Sequence, residues 1–163
     1  MTQRFFCRGG YDPGECQQRI AALKAVLIEY PVGSLKHWSW VIVRSEDWQP
    51  LRQSLRLEHD SPAFTALAER EIFLEDALFI PQPKRTDQLV RSLQTPFARL
   101  LAAAVTHELG HAICHGSSEA TANHVAEQLR RGKTPDCSGT TLNPIDELYL
   151  HRQSAGLPGS GRH

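Results

Sequence analysis

The chain has 163 residues, 40% of them hydrophobic, and it carries 18 basic and 18 acidic side chains. Because this length is close to the usual domain size, we expect one folded unit over residues 1–153 and a disordered Gly/Ser/Pro-rich tail over 154–163. Zero net charge gives no general attraction to nucleic acid or anionic membranes, and no apolar run is long enough to cross a bilayer. The composition therefore argues against a role on nucleic acid or in a membrane.

The N-terminal half predicts a helix followed by strands. Asp12, Pro13 and Glu15 form an N-cap, a first-turn proline and a capping-box glutamate. A backing helix should begin there and end at Pro31. Further along we expect a strand at 37–44, a short helix at 47–55, strands at 63–68 and 71–79, a loop at 81–87 and a short helix at 88–93. A helix is the alternative for the segment 71–79.

The next predicted helix carries the pattern with the most specific chemistry, His107-Glu108-Leu109-Gly110-His111. Thr95 followed by Pro96 is typical of an N-cap and a first helical residue, and Gly116 is typical of the position just past a helix end. Apolar residues cover most of the helix circumference, which indicates that the helix is buried. The pattern thus lies well inside a buried helix.

The spacing of the two histidines suits a single metal ion. On a helix, His107 and His111 differ by about 40° in azimuth and roughly 6 Å in height, so both imidazoles can bind one ion. Glu108 lies on an adjacent part of the same helix and can accept a proton from a water that zinc activates. The alternative is a surface helix with two solvated histidines, but buried histidines and glutamates need partners. The pattern therefore predicts one catalytic zinc ion, with Glu108 as the general base.

A catalytic zinc ion needs a third protein ligand. A second helix is predicted from Glu119 to about Arg131, and Glu119 lies at the margin of its apolar stripe, facing the preceding helix. We predict Glu119 as the third ligand, although a helix-start carboxylate is also favoured by the helix dipole. The alternatives for the third ligand are Asp136, Asp146 and His151. Asn123, one turn beyond Glu119, is a candidate to hydrogen-bond a ligand imidazole, with ordinary helix surface as the other interpretation.

The pattern His107-Glu108-Leu109-Gly110-His111 followed by Glu119-Ala-Thr-Ala-Asn123 resembles the gluzincin group of zinc metallopeptidases. In size the chain is most similar to the small single-domain members called minigluzincins. The resemblance implies that a glutamate on the second helix completes the zinc site and that the residue four positions later supports it. Here Asn123 stands where those enzymes usually have an acidic residue. Only seven residues separate His111 from Glu119, which is shorter than most gluzincin connections.

A further helix is predicted from Asn143, where a cap, a proline and an acidic first turn follow one another. It contains Tyr149 and His151. In the enzymes that the chain resembles, a tyrosine or histidine from this side of the chain often hydrogen-bonds the oxyanion, which makes both residues candidates. Surface or packing roles are the alternative for each of them.

The cysteines Cys7, Cys16, Cys114 and Cys137 are compatible with zero, one or two disulfides. Cys7 and Cys16 are near enough in sequence to close a small loop, and a bridge between the other two would fasten the two zinc-site helices together. Because the first residues contain too few apolar side chains for an export signal, we expect reduced cysteines and a cytoplasmic location.

The order of elements predicts a small single-domain α+β fold of the zincin type, with a backing helix, a short mixed sheet, the motif helix and a ligand-bearing helix. A sheet edge beside the metal could bind an extended peptide by adding a strand. We therefore predict a zinc metallopeptidase, a hydrolase whose partner is a peptide or protein substrate. The alternative is a catalytically silent, zinc-stabilised regulatory or protein-interaction module. The sequence does not indicate an oligomeric state.

Overall fold

This computed structural model describes residues 3–57 and 60–141 of the chain. Within these ranges the chain forms five α-helices and a four-stranded mixed sheet. In chain order the elements are β1 (Arg4–Arg8), α1 (Pro13–Leu27), β2 (Ser39–Val43), α2 (Ser45–Ser54), β3 (Ala63–Ala66), β4 (Glu71–Glu75), α3 (Arg85–Leu93), α4 (Phe97–Ile113) and α5 (Glu119–Arg130). Short 3-10 helices span Gly33–Leu35 and Asp76–Leu78. The fold is α+β, as predicted.

The sheet has the strand order β1-β2-β4-β3, in which β3 is an edge strand. β1, β2 and β4 are parallel, while β3 runs antiparallel to β4. One face of the sheet, including the paired residues Trp40 and Ile72, belongs to the main core that α1 and α4 share. On the other face Trp48 of α2 packs on Phe64, whose ring stacks on Phe73. The sheet is therefore covered on both sides.

The cap of α1 forms as the sequence predicted. The Asp12 side chain accepts a hydrogen bond from the backbone N–H of Glu15, and Pro13 is the first helical residue. Leu23 and Leu27 of this helix are buried in the main core. Helix α1 is therefore the backing helix of the fold, anchored by local capping and by its apolar face.

Several predicted elements need correction. Strand β1 was not predicted, because a five-residue edge strand rich in arginine carries only a weak alternation pattern. The predicted strand over 71–79 ends at Glu75, where the chain turns into a 3-10 helix. Helix α4 has Pro96 in extended conformation at the N-cap, while the Thr95 hydroxyl donates to the carbonyl of Leu93. The same helix ends at Ile113 and not at the residue before Gly116, where the sequence predicted its end.

All four cysteines are paired, so the prediction of reduced cysteines was wrong. Cys7 of β1 bonds Cys16 of α1, and Cys114 at the end of α4 bonds Cys137 in the segment after α5. The Cα atoms of the two pairs are 5.8 and 5.5 Å apart, which is the spacing that a disulfide needs. Sequence could not reveal these distances, since each depends on how a helix lies against its neighbour.

No helix within the described ranges is long and apolar enough to cross a membrane. Some predictions concern residues that the structure does not describe. These are the tail over 154–163, the helix expected from Asn143, and the candidate residues Asp146, Tyr149 and His151.

Candidate metal centre

Helices α4 and α5 approach each other closely because a glycine stands where they meet. A Cβ atom added at Gly110 would lie 2.6 Å from the carbonyl oxygen of Ala122 and 2.8 Å from its Cα atom. Both distances are shorter than real Cβ contacts, so a side chain at this position would push the helices apart. The start of α5, whose N-cap Ser118 accepts from the N–H of Thr121, therefore lies directly beside the motif helix.

This packing brings the three predicted ligands together. His107 Nε2 lies 2.8 Å from Glu119 Oε2, and His111 Nε2 lies 3.2 Å from Glu119 Oε1. The two imidazole rings are nearly perpendicular, with their centroids 4.9 Å apart. One ligand atom from each of the three side chains falls within 4.8 Å of the others. Two helices thus direct two nitrogens and a carboxylate towards one point.

The point where the three side chains meet is open to solvent. The Glu119 side chain is 50% exposed, whereas those of His107 and His111 are 23% and 16% exposed. The histidines are therefore held within the structure while the carboxylate faces the opening. The carboxylate is therefore accessible to solvent.

Each of the two converging histidines has a partner on its other ring nitrogen. The Nδ1 atom of His107 lies 2.7 Å from Asn123 Oδ1, which is the first of the two interpretations that the sequence left open for this asparagine. The Nδ1 atom of His111 lies 3.4 Å from the hydroxyl of Ser117, a residue that sequence analysis missed. Because Asn123 Oδ1 can only accept, Nδ1 of His107 donates to it, and Nε2 is the ring nitrogen that can bind a metal ion once it has lost its own proton.

Without a metal, the site is an imidazolium–carboxylate cluster. Burial lowers the pKa of His107, but the hydrogen bond with Glu119 and the charges of Glu108 and Glu119 outweigh it and raise the pKa to about 9. Burial raises the pKa of Glu119, yet its hydrogen bonds with both histidines hold that pKa well below the usual range. A metal ion that binds His107 Nε2 must therefore displace a proton.

The donor set fits zinc. Two imidazole nitrogens with one carboxylate oxygen are a common set for a catalytic zinc ion, and in this structure they converge with their outer partners in place. Asp136, an alternative third ligand, is not part of the cluster. It lies in the exposed segment after α5, where its carboxylate accepts from the backbone and hydroxyl of Ser138.

Glu108 is buried beside this cluster, with only 3% of the residue exposed. Burial raises the pKa of its carboxyl above the ordinary range. Its Oε2 atom accepts a hydrogen bond of 2.6 Å from the hydroxyl of Thr65 on edge strand β3. Sequence analysis missed Thr65 because 43 residues separate it from its partner, and no local pattern marks such a contact.

No protein family matches the sequence, and no curated protein is significantly similar to it. Among solved structures, the solution structure of the protein TM1509 from Thermotoga maritima is similar to this chain, with 13% sequence identity and a TM-score of 0.46. The match covers 99% of this chain and 100% of that protein. The identity and the TM-score are both low, so this likeness does not indicate a function for the chain.

Proposed function

We propose that the chain is a zinc-dependent hydrolase, and more specifically a metallopeptidase. In this proposal His107, His111 and Glu119 bind zinc and Glu108 is the general base. One observation carries the proposal: ligand atoms of three side chains lie within 4.8 Å of one another, next to a buried carboxylate on the residue that follows His107. A metal site alone does not require that carboxylate, whereas hydrolysis does.

Bound zinc supplies a Lewis acid that polarises a substrate carbonyl and makes water a better proton donor. Glu108 then accepts the water proton and passes it to the leaving nitrogen. Since Oε2 already accepts from Thr65, Oε1 is the oxygen that we assign to this transfer. A buried base has a raised pKa, which brings it nearer to neutral pH and strengthens it as a proton acceptor. Asn123 orients His107 throughout.

Edge strand β3 supports a peptide as the substrate. It ends the strand order, and within residues 3–57 and 60–141 no strand pairs with its outer edge. Its Thr65 touches Glu108, so an extended peptide that added to this edge would lie beside the proposed base.

The proposal is tested by incubating the zinc-loaded protein with a diverse peptide mixture and identifying products by mass spectrometry. We expect cleavage that a chelator stops and added zinc restores. A zinc-stabilised interaction module predicts instead that zinc raises the melting temperature while no peptide is cut. Cleavage that persists after complete zinc removal would contradict the proposed mechanism.

The pH dependence of zinc binding follows from His107. Because its pKa is about 9 in the metal-free protein, His107 is protonated at pH 7 and zinc must release that proton. We expect the apparent Kd for zinc to fall about tenfold per pH unit between pH 7 and 9 and then to level off. A competition titration against a chromogenic chelator measures this slope. His115→Ala, which removes an exposed histidine beyond α4, should give the same slope. A zinc Kd that stays constant from pH 7 to 9 would contradict the assignment of His107 as a zinc ligand that loses a proton on binding.

The metal-free protein should become less stable as the pH rises, whereas its affinity for zinc increases. The folded-state pKa of His107 is above its ordinary value of 6.5, so its stabilising contribution is complete below about pH 6.5 and is lost as the pH rises through about 9. The rise in melting temperature that zinc produces should therefore grow over this interval, since the metal-free state weakens while zinc binds more tightly.

The two disulfides bear on the proposed location. Paired cysteines persist mainly in oxidising compartments and are rare in a reducing cytoplasm. They weigh against the cytoplasmic location, which was predicted together with reduced cysteines.

A further inference from the structure

We propose that Thr65 is a positioning residue for the general base, holding Glu108 Oε2 so that Oε1 is presented to the reacting water. The inference rests on the proposed function, because Glu108 needs positioning of this kind only if it transfers a proton. It adds to that function a residue from the sheet, outside the two helices that carry the resemblance to known peptidases.

The Thr65 hydroxyl has two acceptors within reach, both on Glu108. The Thr65 hydroxyl lies 2.6 Å from Glu108 Oε2 and 3.3 Å from the Glu108 carbonyl oxygen. A hydroxyl has one proton to donate, and the shorter contact to the charged oxygen is the stronger hydrogen bond. The terminal torsion of a glutamate is broad and nearly free without such a partner. Fixing one oxygen therefore fixes the direction of the other.

The sheet holds Thr65 in place. It pairs with Ile72 of β4, so the ladder sets its position along the strand. Side chains alternate between the two faces of a strand, and its neighbours Phe64 and Ala66 pack in the cluster beneath α2. Thr65 consequently faces α4, where Glu108 lies. The same strand offers its outer edge to substrate, which connects the position of the peptide with the orientation of the base.

The test uses a pair of substitutions at Thr65 in the full zinc-loaded chain. Thr65→Val keeps the branched shape but removes the hydroxyl, and Thr65→Ser keeps the hydroxyl. We expect Thr65→Val to lower kcat by about 10- to 100-fold, the scale of a displaced catalytic group, with KM and the zinc Kd within about twofold of the parent. Thr65→Ser should recover most of that loss. Thr95→Val is the matched control, since it removes a hydroxyl bonded to a backbone carbonyl far from the base, and its kcat should equal that of the parent.

A second measurement does not depend on activity. In the metal-free protein, Thr65→Val should lower the melting temperature by about 3–8 °C, because a buried carboxylate loses its donor. In a Glu108→Leu background the same substitution should change the melting temperature by less than about 1 °C. That non-additivity is the signature of a direct contact.

Four outcomes would overturn the inference. The first two are a kcat of Thr65→Val equal to that of the parent, and equal losses of kcat in Thr65→Val and Thr65→Ser. The third is a loss of zinc affinity large enough to account for the lower activity. The fourth is that the melting-temperature changes of Thr65→Val and Glu108→Leu add in the double variant. If the parent cuts no peptide while the melting temperatures are non-additive, the proposed function is wrong and the contact is purely structural. Additive melting temperatures in an active parent would instead remove only the role of Thr65.

Discussion

Glu108→Gln is expected to lose almost all peptide hydrolysis while it keeps zinc. Glutamine has nearly the same shape, and its amide oxygen can still accept from Thr65, so the local packing is preserved. Its amide cannot take a proton at neutral pH, however. Since a general base contributes about 10²- to 10⁴-fold, we expect kcat to fall by roughly 10³-fold. Zinc should stay, because Glu108 is not among the three converging ligand residues.

This result is measured as turnover of a fluorogenic peptide, with zinc content determined by elemental analysis on the same samples. Glu127→Gln is the matched control, since it makes the same chemical change in α5 at a residue paired with Arg131. Its turnover should equal that of the parent. Turnover by Glu108→Gln near the parental level would reject the base assignment, and loss of zinc from that variant would make Glu108 a ligand.

Glu119→Ala is expected to lose zinc at concentrations that saturate the parent. Glu119 contributes both carboxylate oxygens to the cluster, at 2.8 Å from His107 Nε2 and 3.2 Å from His111 Nε2. Removing a partner that only supports a ligand typically costs 10- to 100-fold in metal affinity, so removing a ligand should cost at least about 100-fold. Hydrolysis should disappear in parallel.

The affinity is measured by chelator competition on the parent, Glu119→Ala and Glu127→Ala. The last variant removes a carboxylate from the same helix outside the cluster and should bind zinc as the parent does. Parental affinity in Glu119→Ala would mean that another residue completes the site. Asp146 and His151, which lie outside the described residues, would then be the next candidates.

The connection between His111 and Glu119 is only seven residues long, but Glu119 still reaches both histidines in this structure. Ser118 caps α5 immediately before Glu119, so Glu119 is the first helical residue. Gly110 lets α5 lie close enough that this first turn reaches both histidines. A short connection therefore works because a tight helix crossing compensates for it.

Local patterns predicted much of the fold and the three side chains that converge on one point. Capping by Asp12, the run of β-branched and aromatic residues in β2, and the histidine spacing on α4 all depend on neighbours within a few residues. Such signals act over one or two helical turns or along a single strand. For that reason they can be read without knowing the tertiary structure.

The remaining features arise only when distant segments meet. The hydroxyl of Thr65 becomes a partner of Glu108 because the sheet brings β3 against α4. The requirement for glycine at position 110 comes from Ala122 on another helix. Cys7 and Cys16 pair because β1 lies beside α1, and the sequence of β1 carries only a weak strand pattern. None of these contacts leaves a pattern in a short window of sequence.

We propose that two histidines and one glutamate bind a single zinc ion next to a buried base. A crystal grown with zinc and measured on both sides of the zinc absorption edge tests it most directly. We expect one anomalous peak at about 2.0–2.2 Å from His107 Nε2, His111 Nε2 and a carboxylate oxygen of Glu119. If His107 and His111 are still hydrogen-bonded to Glu119 and the zinc signal lies elsewhere or is absent, these three residues are not a zinc site.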